Sequence, residues 1–164
     1  MSEDRSRQLL EDRARALARP VEDGRARDEI QLMGVSLGGE RYAIELGHVV
    51  EVFRVGSLSP LPGAAAPVVG ITAWRGELLP ILDLRRLLGL AAQGLDDLRF
   101  AVVLGDERAP IAVLVDGVDG ILSTARERIR PAPEGIAVHR EFVRAVMADA
   151  RLVLDAERLL DTHR

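Results

Sequence analysis

Residues that could take part in catalysis or metal binding are few in this sequence and stand far apart. The three histidines, His48, His139 and His163, lack the spacing of three or four residues that brings two ligands to one metal ion. Residues 116–120, Asp-Gly-Val-Asp-Gly, lack the third ligand and the terminal glutamate of a calcium loop. They predict a tight turn or bulge between strands, and we expect no bound metal.

Nucleophiles and phosphate-binding loops are also missing from the sequence pattern. No serine stands in a Gly-x-Ser-x-Gly elbow, and without lysine a phosphate loop cannot be completed. Scattered carboxylates could still act as acid and base, although no pair stands out by its position. The sequence therefore favours a protein without catalytic activity or cofactor, and an enzyme that uses scattered carboxylates is the rival interpretation.

A binding site is indicated by a short polar corner between two apolar, strand-like runs. The corner, Trp74-Arg75-Gly76-Glu77, stands where the chain should turn and meet solvent. Tryptophan and arginine are among the residue types most enriched at binding hot spots, which favours a site that holds a partner. The alternative is an arginine that is only solvated at a turn. Glu51 lies in another β-rich run, where alternation predicts an exposed side chain opposite the neighbouring valines.

Length and composition are typical of one globular domain, or of two small subdomains that share a core. The chain has 164 residues, 48% hydrophobic and 29% charged, and no cysteine. The net charge is −4 and all 22 basic residues are arginines interleaved with acids, so we expect no nucleic-acid binding. Apolar runs are too short to insert in a membrane and no signal peptide is visible, so we expect a cytoplasmic protein.

Alternation of apolar and polar residues predicts about nine or ten short strands and little helix. This pattern is typical of an all-β barrel or sandwich, and two small barrels packed together would fit it. Gly38-Gly39 predicts a two-residue hairpin turn, and Pro80 predicts an edge position or a bulge. The predicted strands are Ile30–Leu37, Tyr42–Leu46, Val49–Phe53, Val68–Trp74, Glu77–Leu82, Phe100–Leu104, Ile111–Val115, Val118–Leu122, Phe142–Met147 and Leu152–Leu154.

Helices and loops separate these strands. Two short helices are predicted, over Asp83–Gly89 and Asp155–Asp161, the first with Asp83 as its N-cap and Gly89 at its end. Segments rich in glycine, proline or charge predict loops and linkers. These are Ser57–Pro67, Ala91–Asp97, Gly105–Ala109 and Arg126–Ile136.

Residues 1–29 differ from the rest and predict a charged tail that is partly helical or disordered. Leu9, Leu10, Ala14 and Leu17 recur at helical spacing, and Pro20 should end that helix. The sharper alternative is a helix that docks on a partner or on the body of the protein itself. Residues 30–164 would then form the domain of two barrels.

Three motifs in order along the chain resemble the CheW family of bacterial chemotaxis coupling proteins. The first is Leu37-Gly38 with Tyr42-x-Ile44, followed by Val49-Val50-Glu51-Val52. The second, Gly70–Leu84, is similar to the family's Gly-x-x-Asn-Leu-Arg-Gly-x-x-x-Pro-x-x-Asp-Leu. The third is Val115–Val118, leading to Ile129–Pro133. The resemblance covers about Ile30 to Leu160.

The resemblance implies a fold of two small five-stranded SH3-like β-barrels side by side, with short helices. It also implies a non-catalytic adaptor that joins the cytoplasmic helical tip of a chemoreceptor to the regulatory domain of a CheA-type histidine kinase. Such a protein would associate with membrane-bound receptor arrays only through its partners. A specialised scaffold or competitor of a non-flagellar pathway, for motility or pili, is the alternative, with the tail docking on another partner.

The family's contact residues map onto two places in this sequence. Val49, Glu51 and Arg75 correspond to the receptor-contact region, and Trp74 and Gly76 complete that corner for receptor or kinase binding. The resemblance implies that apolar residues around them line a groove between the barrels. A second barrel would turn Val115, Asp116 and Val118 toward the kinase, although apolar strand residues there could also simply be core.

This chain departs from the family pattern beside the arginine. Ala73 replaces the usual asparagine, and Trp74 replaces the usual leucine. The identity of the receptor and of the pathway therefore stays open.

Overall fold

Apolar residues recur at every second position along much of the chain, and the structure accordingly consists mainly of short strands. The computed structural model describes residues 28–91, 100–106, 109–135 and 140–162. Two α-helices, α1 (Leu84–Leu87) and α2 (Ala156–Asp161), and three single turns of 3-10 helix, Leu46–His48, Arg126–Arg128 and Arg140–Phe142, are also described. The strands are β1 (Glu29–Leu37), β2 (Glu40–Glu45), β3 (Val49–Arg54), β4 (Val68–Trp74), β5 (Glu77–Asp83), β6 (Phe100–Leu104), β7 (Ile111–Val115), β8 (Gly117–Ala125), β9 (Ile129–Pro131), β10 (Val143–Met147) and β11 (Leu152–Leu154).

The strands form two sheets whose order differs from the order along the chain. The first sheet has six strands in the order β8-β1-β2-β11-β10-β9, and the second has five in the order β3-β6-β7-β5-β4. Two neighbouring pairs are parallel, β11 with β2 and β5 with β7, and the other pairs are antiparallel. Each sheet therefore combines strands from both halves of the sequence.

In each sheet the two edge strands are consecutive along the chain, so the sheet has to curl. Only the turn Arg126–Arg128 joins β8 to β9, and a link of this length spans at most about 14 Å. In the second sheet, the segment after β3 folds back, and Ser59 and Ile71 of β4 exchange backbone hydrogen bonds of 2.9 and 3.0 Å. Gly70 permits this approach, because a Cβ there would lie 2.5 Å from the Ser59 carbonyl oxygen.

The main core lies between the sheets and draws on both of them and on both helices. Met33 and Val35 of β1 turn toward it, and β7 is buried along its whole length. The first sheet also has a small core on its other face, formed by the buried residues Leu32, Ala43, Ala145 and Val153. Because the main core is shared, the two sheets act as subdomains of one folding unit.

The predicted all-β class with two strand groups is confirmed, and one strand count is corrected. The described residues contain eleven strands, one or two more than predicted. The segment Arg126–Ile136 was predicted to be a loop, but Ile129–Pro131 pairs with β10, so the first sheet has six strands and not five. Three residues are too few to show alternation, which is why the sequence pattern did not indicate this strand.

Local signals for turns and caps gave correct predictions. Gly38 and Gly39 have φ of 57° and 83° and close the β1–β2 hairpin. Asp83 caps α1, because its side chain accepts the Arg85 N–H, and Gly89 follows the helix with φ 63°. Asp155, which was not predicted as a cap, caps α2 in the same way, at 3.2 Å from the Arg158 nitrogen.

Pro80 lies in an interior strand, which differs from the predicted edge or bulge. It pairs with Ile71 of β4, but β5 meets β7 only from Ile81 onward. Proline lacks the N–H that a second neighbour would require. At Pro80, β5 therefore pairs only with β4, whereas at Ile81 it pairs with both β4 and β7.

The predicted tail helix at residues 9–17 lies outside the described residues, as do residues 92–97 of the predicted linker. The domain boundary near residue 30 stays a prediction, and β1 begins at Glu29. In the described part of the chain, no helix has the length and apolar character needed to cross a membrane.

Candidate binding site

The corner between β4 and β5 is a two-residue hairpin turn. Trp74 pairs with Glu77, and Arg75 and Gly76 between them have φ of 50° and 82°. Two successive positive φ values are typical of a type I′ turn, whose twist matches that of the flanking strands. Glycine adopts this conformation at little cost, whereas arginine does not. The turn places the Arg75 side chain at the tip of the hairpin.

Glu51 faces this corner because β3 contains a bulge. Val49 pairs with Leu104 and Glu51 with Val103, so Val50 is the extra residue. Val50 is turned outward and is 45% exposed, while the Glu51 side chain is 37% exposed. Alternation had predicted an exposed glutamate opposite both neighbouring valines; Glu51 is partly exposed and Val52 packs against the core, but Val50 is turned to solvent. The bulge interrupts the alternation and is the reason for the difference.

One carboxylate oxygen joins the side chains of the corner. Glu51 Oε2 accepts hydrogen bonds from Trp74 Nε1 at 2.9 Å, from Arg75 Nε at 3.1 Å and from Arg75 Nη2 at 2.8 Å. Because β3 and β4 are the two edges of the second sheet, these bonds tie its edges together. Within the described residues, Glu51 Oε1 and Arg75 Nη1 make no hydrogen bond, so both are open to a partner.

The Trp74 ring supports the arginine. The guanidinium carbon of Arg75 lies 4.6 Å from the ring centroid, within the range of a cation–π interaction. The ring is itself half-buried and packs against the main core. Arg75 is therefore held in one orientation by a ring and a carboxylate, although 61% of its side chain is exposed. Tryptophan acts here as a support for the arginine.

The structure thus brings together the corner residues that were predicted from sequence. Glu51, Trp74, Arg75 and Gly76 form one cluster. Val49 lies two residues before Glu51 in the same strand and packs half-buried against the main core.

The second predicted surface is divided between the core and a structural ion pair. Val115 has no exposed area, and Val118 is half-buried against the main core. Asp116 Oδ1 accepts a hydrogen bond from Arg85 Nη2, and its Oδ2 accepts the Gly38 N–H at 2.6 Å. The sequence had left a core role open for these residues, and the structure favours that alternative.

The expectation that residues 115–118 all belong to the second barrel is wrong. Val115 ends β7, which is central in the five-stranded sheet, whereas Val118 is in β8, at the edge of the six-stranded sheet. The segment therefore crosses between the sheets, and Asp116 is the residue at the crossing.

Residues 31–164 of the sequence match the CheW-like domain family. The chain belongs to this family. Chemotaxis protein CheW of Klebsiella aerogenes is 30% identical, over 77% of this chain and 79% of its own length. Protein FrzA of Myxococcus xanthus is 34% identical, over 85% of this chain and 90% of its own length.

The same fold occurs in the scaffolding protein TtCheW from Thermoanaerobacter tengcongensis. Its crystal structure superposes with a TM-score of 0.68 and covers 76% of this chain and 86% of that one, at 23% sequence identity. At this identity the likeness concerns the fold, and it agrees with the two curled sheets described above.

Membership in the CheW-like family answers the question of catalysis. Proteins of this family are non-catalytic scaffold adaptors of chemosensory signalling, so this chain is an adaptor and not an enzyme. In the described segments, no group of three or more histidine, aspartate or glutamate side chains is placed to hold a metal ion.

A cavity of about 360 Å³ lies where segments of the two sheets meet, and it is separate from the corner. Its walls come from the loop before β4, from α1 and from the turn before β10. The lining residues are Ala66, Pro67, Arg86, Leu87, Glu141 and Phe142. The groove that the resemblance implied around Val49, Glu51 and Arg75 is therefore not this cavity.

Two buried arginines were missed by reasoning from sequence. Arg85 and Arg151 are only 2% and 6% exposed. Arg151 Nη1 lies 2.9 Å from Asp119 Oδ2, and Gly34 makes room for it, because a Cβ on that glycine would collide with the guanidinium. Asp119 is the bulged residue of β8, which confirms the predicted turn or bulge at residues 116–120. Gly34, a glycine within a predicted strand, was the one signal in the sequence that another group approaches the strand closely there.

Proposed function

We propose that this protein couples the cytoplasmic helical tip of a chemoreceptor to a CheA-type histidine kinase, with the Glu51–Arg75 corner as a partner-binding site. The observation that carries the proposal is the fixed, exposed guanidinium of Arg75. It is bound by the Glu51 carboxylate and lies over the Trp74 ring, yet most of its side chain faces solvent. The protein would then be cytoplasmic and would reach receptor arrays only through its partners.

An arginine held in this way is suited to recognition. Ordering a free arginine side chain on binding costs about 0.5–1.5 kcal/mol, and this cost is reduced when the side chain is already held. Arg75 Nη1 and Glu51 Oε1 remain open, so the corner can donate one hydrogen bond and accept another. Such a pair can fix the orientation of a partner helix.

Apolar surface stands beside the corner. Val50, next to Glu51 in the chain, is 45% exposed, and Leu78 near the hairpin tip is 72% exposed. Leu78 pairs with Ala73 and lies on the face of the hairpin opposite Trp74. Val50 is therefore the apolar residue that could accompany Glu51 in a helix-in-groove contact.

The test is receptor-dependent kinase activity in a reconstituted mixture of receptor membranes, kinase from the same genome and this protein. Arg75→Ala should weaken coupling by about 10- to 30-fold, the effect of losing an interface hot spot. Arg158→Ala is the matched control, because Arg158 is also 61% exposed and ion-paired, but on α2. Equal activity of Arg75→Ala and wild type would overturn the proposal.

A charge reversal separates recognition from internal pairing. The double variant Glu51→Arg with Arg75→Glu keeps an ion pair across the sheet edges but inverts both charges at the surface. We expect the fold to survive and coupling to stay low. Restored coupling would mean that the pair only stabilises the corner. A wild-type protein that lowers kinase activity would instead support the competitor role.

A further inference from the structure

A long groove lies against the small core of the first sheet. It has two parts, of about 620 and 220 Å³, which share the residues Ile30, Glu45 and Arg126. The first part is further lined by Glu29, Gln31, Leu46 and Gly47, and the second by Ile129, Arg130, Pro131, Arg144, Ala145 and Val153. The smaller part is mainly apolar, whereas the larger part is more polar, and charged residues stand at the rim of both.

The small core beneath this groove is incompletely covered. It has only four buried residues, and two of them, Ala145 and Val153, form part of the groove wall. Ile30 and Ile129 stand beside them and are only partly buried. Apolar surface gains about 25 cal/mol per Å² when it is removed from water, so an apolar segment of suitable size should bind here.

We propose that residues 8–18 of this chain dock in the groove as an amphipathic helix. Leu9, Leu10, Ala14 and Leu17 fall on one side of such a helix, since they recur at three- and four-residue spacing. That side would face Ile30 and the neighbouring apolar wall. The proposal does not depend on the receptor-binding role of the corner.

The position of the groove favours this segment over other occupants. β1 begins at Glu29, and Glu29 to Gln31 line the groove, so the N-terminal segment is attached at its mouth. The ten residues between Ala18 and Glu29 can span up to about 35 Å, which allows the segment to fold back. A helix of residues 8–18 would be about 16 Å long. A tethered segment also binds at millimolar effective concentration without competing partners.

The charges at the rim fit the polar side of the helix. Arg126 and Arg130 are exposed and make no ion pair with any described residue. Glu11 and Asp12 lie away from the leucine side of the predicted helix and could face them. Glu29 is also on the rim, and Arg144 is already paired with Glu45 at 2.8 Å.

Paramagnetic relaxation measurements on the full chain test the proposal. The sequence has no cysteine, so Ala18→Cys gives a single site for a nitroxide spin label. We expect amide signals of Ile30, Gly47 and Ile129 to lose intensity and to recover when the label is reduced. Signals at the corner, such as that of Gly76, should keep their intensity.

Variants on both sides of the contact make the test specific. Leu10→Asp in the labelled chain should restore the groove signals, because burial of one leucine contributes about tenfold or more to the docking equilibrium. Gln8→Asp introduces the same charge on the opposite side of the helix and should leave the signals broadened. Gly47→Trp should block the groove, whereas Gly56→Trp should not. Neither glycine has an atom within 4 Å of its added Cβ, so both variants should fold.

Three results would overturn the inference. Groove signals that keep full intensity would mean that the groove is empty or reserved for another protein. Equal broadening in wild type and Leu10→Asp would mean that the label lies near the groove without the helix binding it. Broadening in a mixture of isotope-labelled, label-free protein and spin-labelled, isotope-free protein would mean that the segment docks on a second copy.

Discussion

The ion pair between Asp116 and the buried Arg85 should determine stability, whereas the exposed pair at the corner should not. Arg85 is 2% exposed and faces Asp116, whose side chain is 24% exposed. Removing one partner of a buried ion pair costs about 3–5 kcal/mol, because a charge held away from water loses a counter-charge. Arg85 keeps its other interactions, and water can enter the partly solvated space that Asp116 leaves. The lower end, about 3 kcal/mol, is therefore expected for Asp116→Ala.

The Gly38 N–H adds to this value. It donates to Asp116 Oδ2, and a hydrogen bond of this kind contributes about 1 kcal/mol net. The total, about 3–4 kcal/mol, should lower the urea midpoint by about 1.5–2 M for a slope of about 2 kcal/mol per M. Equilibrium urea unfolding, followed by far-UV circular dichroism, measures this shift.

A comparison with the corner makes the prediction refutable. Glu51→Ala removes an ion pair whose members are 61% and 37% exposed, together with the Trp74 Nε1 hydrogen bond, so its cost should stay near 1–2 kcal/mol. An Asp116→Ala midpoint within about 0.5 M of wild type would refute the reasoning.

Two further predictions follow from single contacts. Burial, with the hydrogen-bonded Glu40 carboxylate, raises the pKa of Tyr42 above its ordinary value of 10.0. The free energy of unfolding should therefore fall as pH rises above 10, where the phenol ionises in the unfolded chain but not in the folded one. The chain has one tyrosine and no lysine, so ultraviolet titration and the variant Tyr42→Phe isolate this effect, and ionisation of Tyr42 near pH 10 in the folded protein would contradict it. Gly70→Ala should cost about 1–3 kcal/mol in urea unfolding, because its Cβ would meet the Ser59 carbonyl oxygen, whereas Gly56→Ala, with open space around it, should cost nothing.

Features that depend on neighbouring residues were predictable from the sequence. The Gly38-Gly39 turn and the Asp83 cap need only two to four residues in a row, and each was found as predicted. The division into two strand groups was also predictable, because alternation and the resemblance agreed on it. The order of the strands was not, since β11 pairs with β2 and β7 with β5 over long sequence separations.

The residues of the candidate site were predictable, but their arrangement was not. The family motif indicated Glu51 and Arg75. The contact of Trp74 and Arg75 with one oxygen of the Glu51 carboxylate depends on the curl of the second sheet, which brings its edge strands together. The bulge at Val50 sets the direction of Glu51, and a bulge leaves no mark in apolar alternation. For Arg85 the sequence predicted only a position in a helix. Its burial was not predictable, because the ion pair with Asp116 joins residues that are distant in the sequence.

The conformation of Arg75 is itself an argument for a role in binding. A non-glycine residue in the left-handed region costs about 1–2 kcal/mol, and asparagine or glycine at this position of a type I′ turn would avoid most of that cost. The exposed ion pair with Glu51 and the contact with Trp74 each return about 1 kcal/mol or less. The fold thus gains little from arginine at this position. A backbone strain that packing does not require is typical of functional sites, and it supports the proposal that the corner binds a partner.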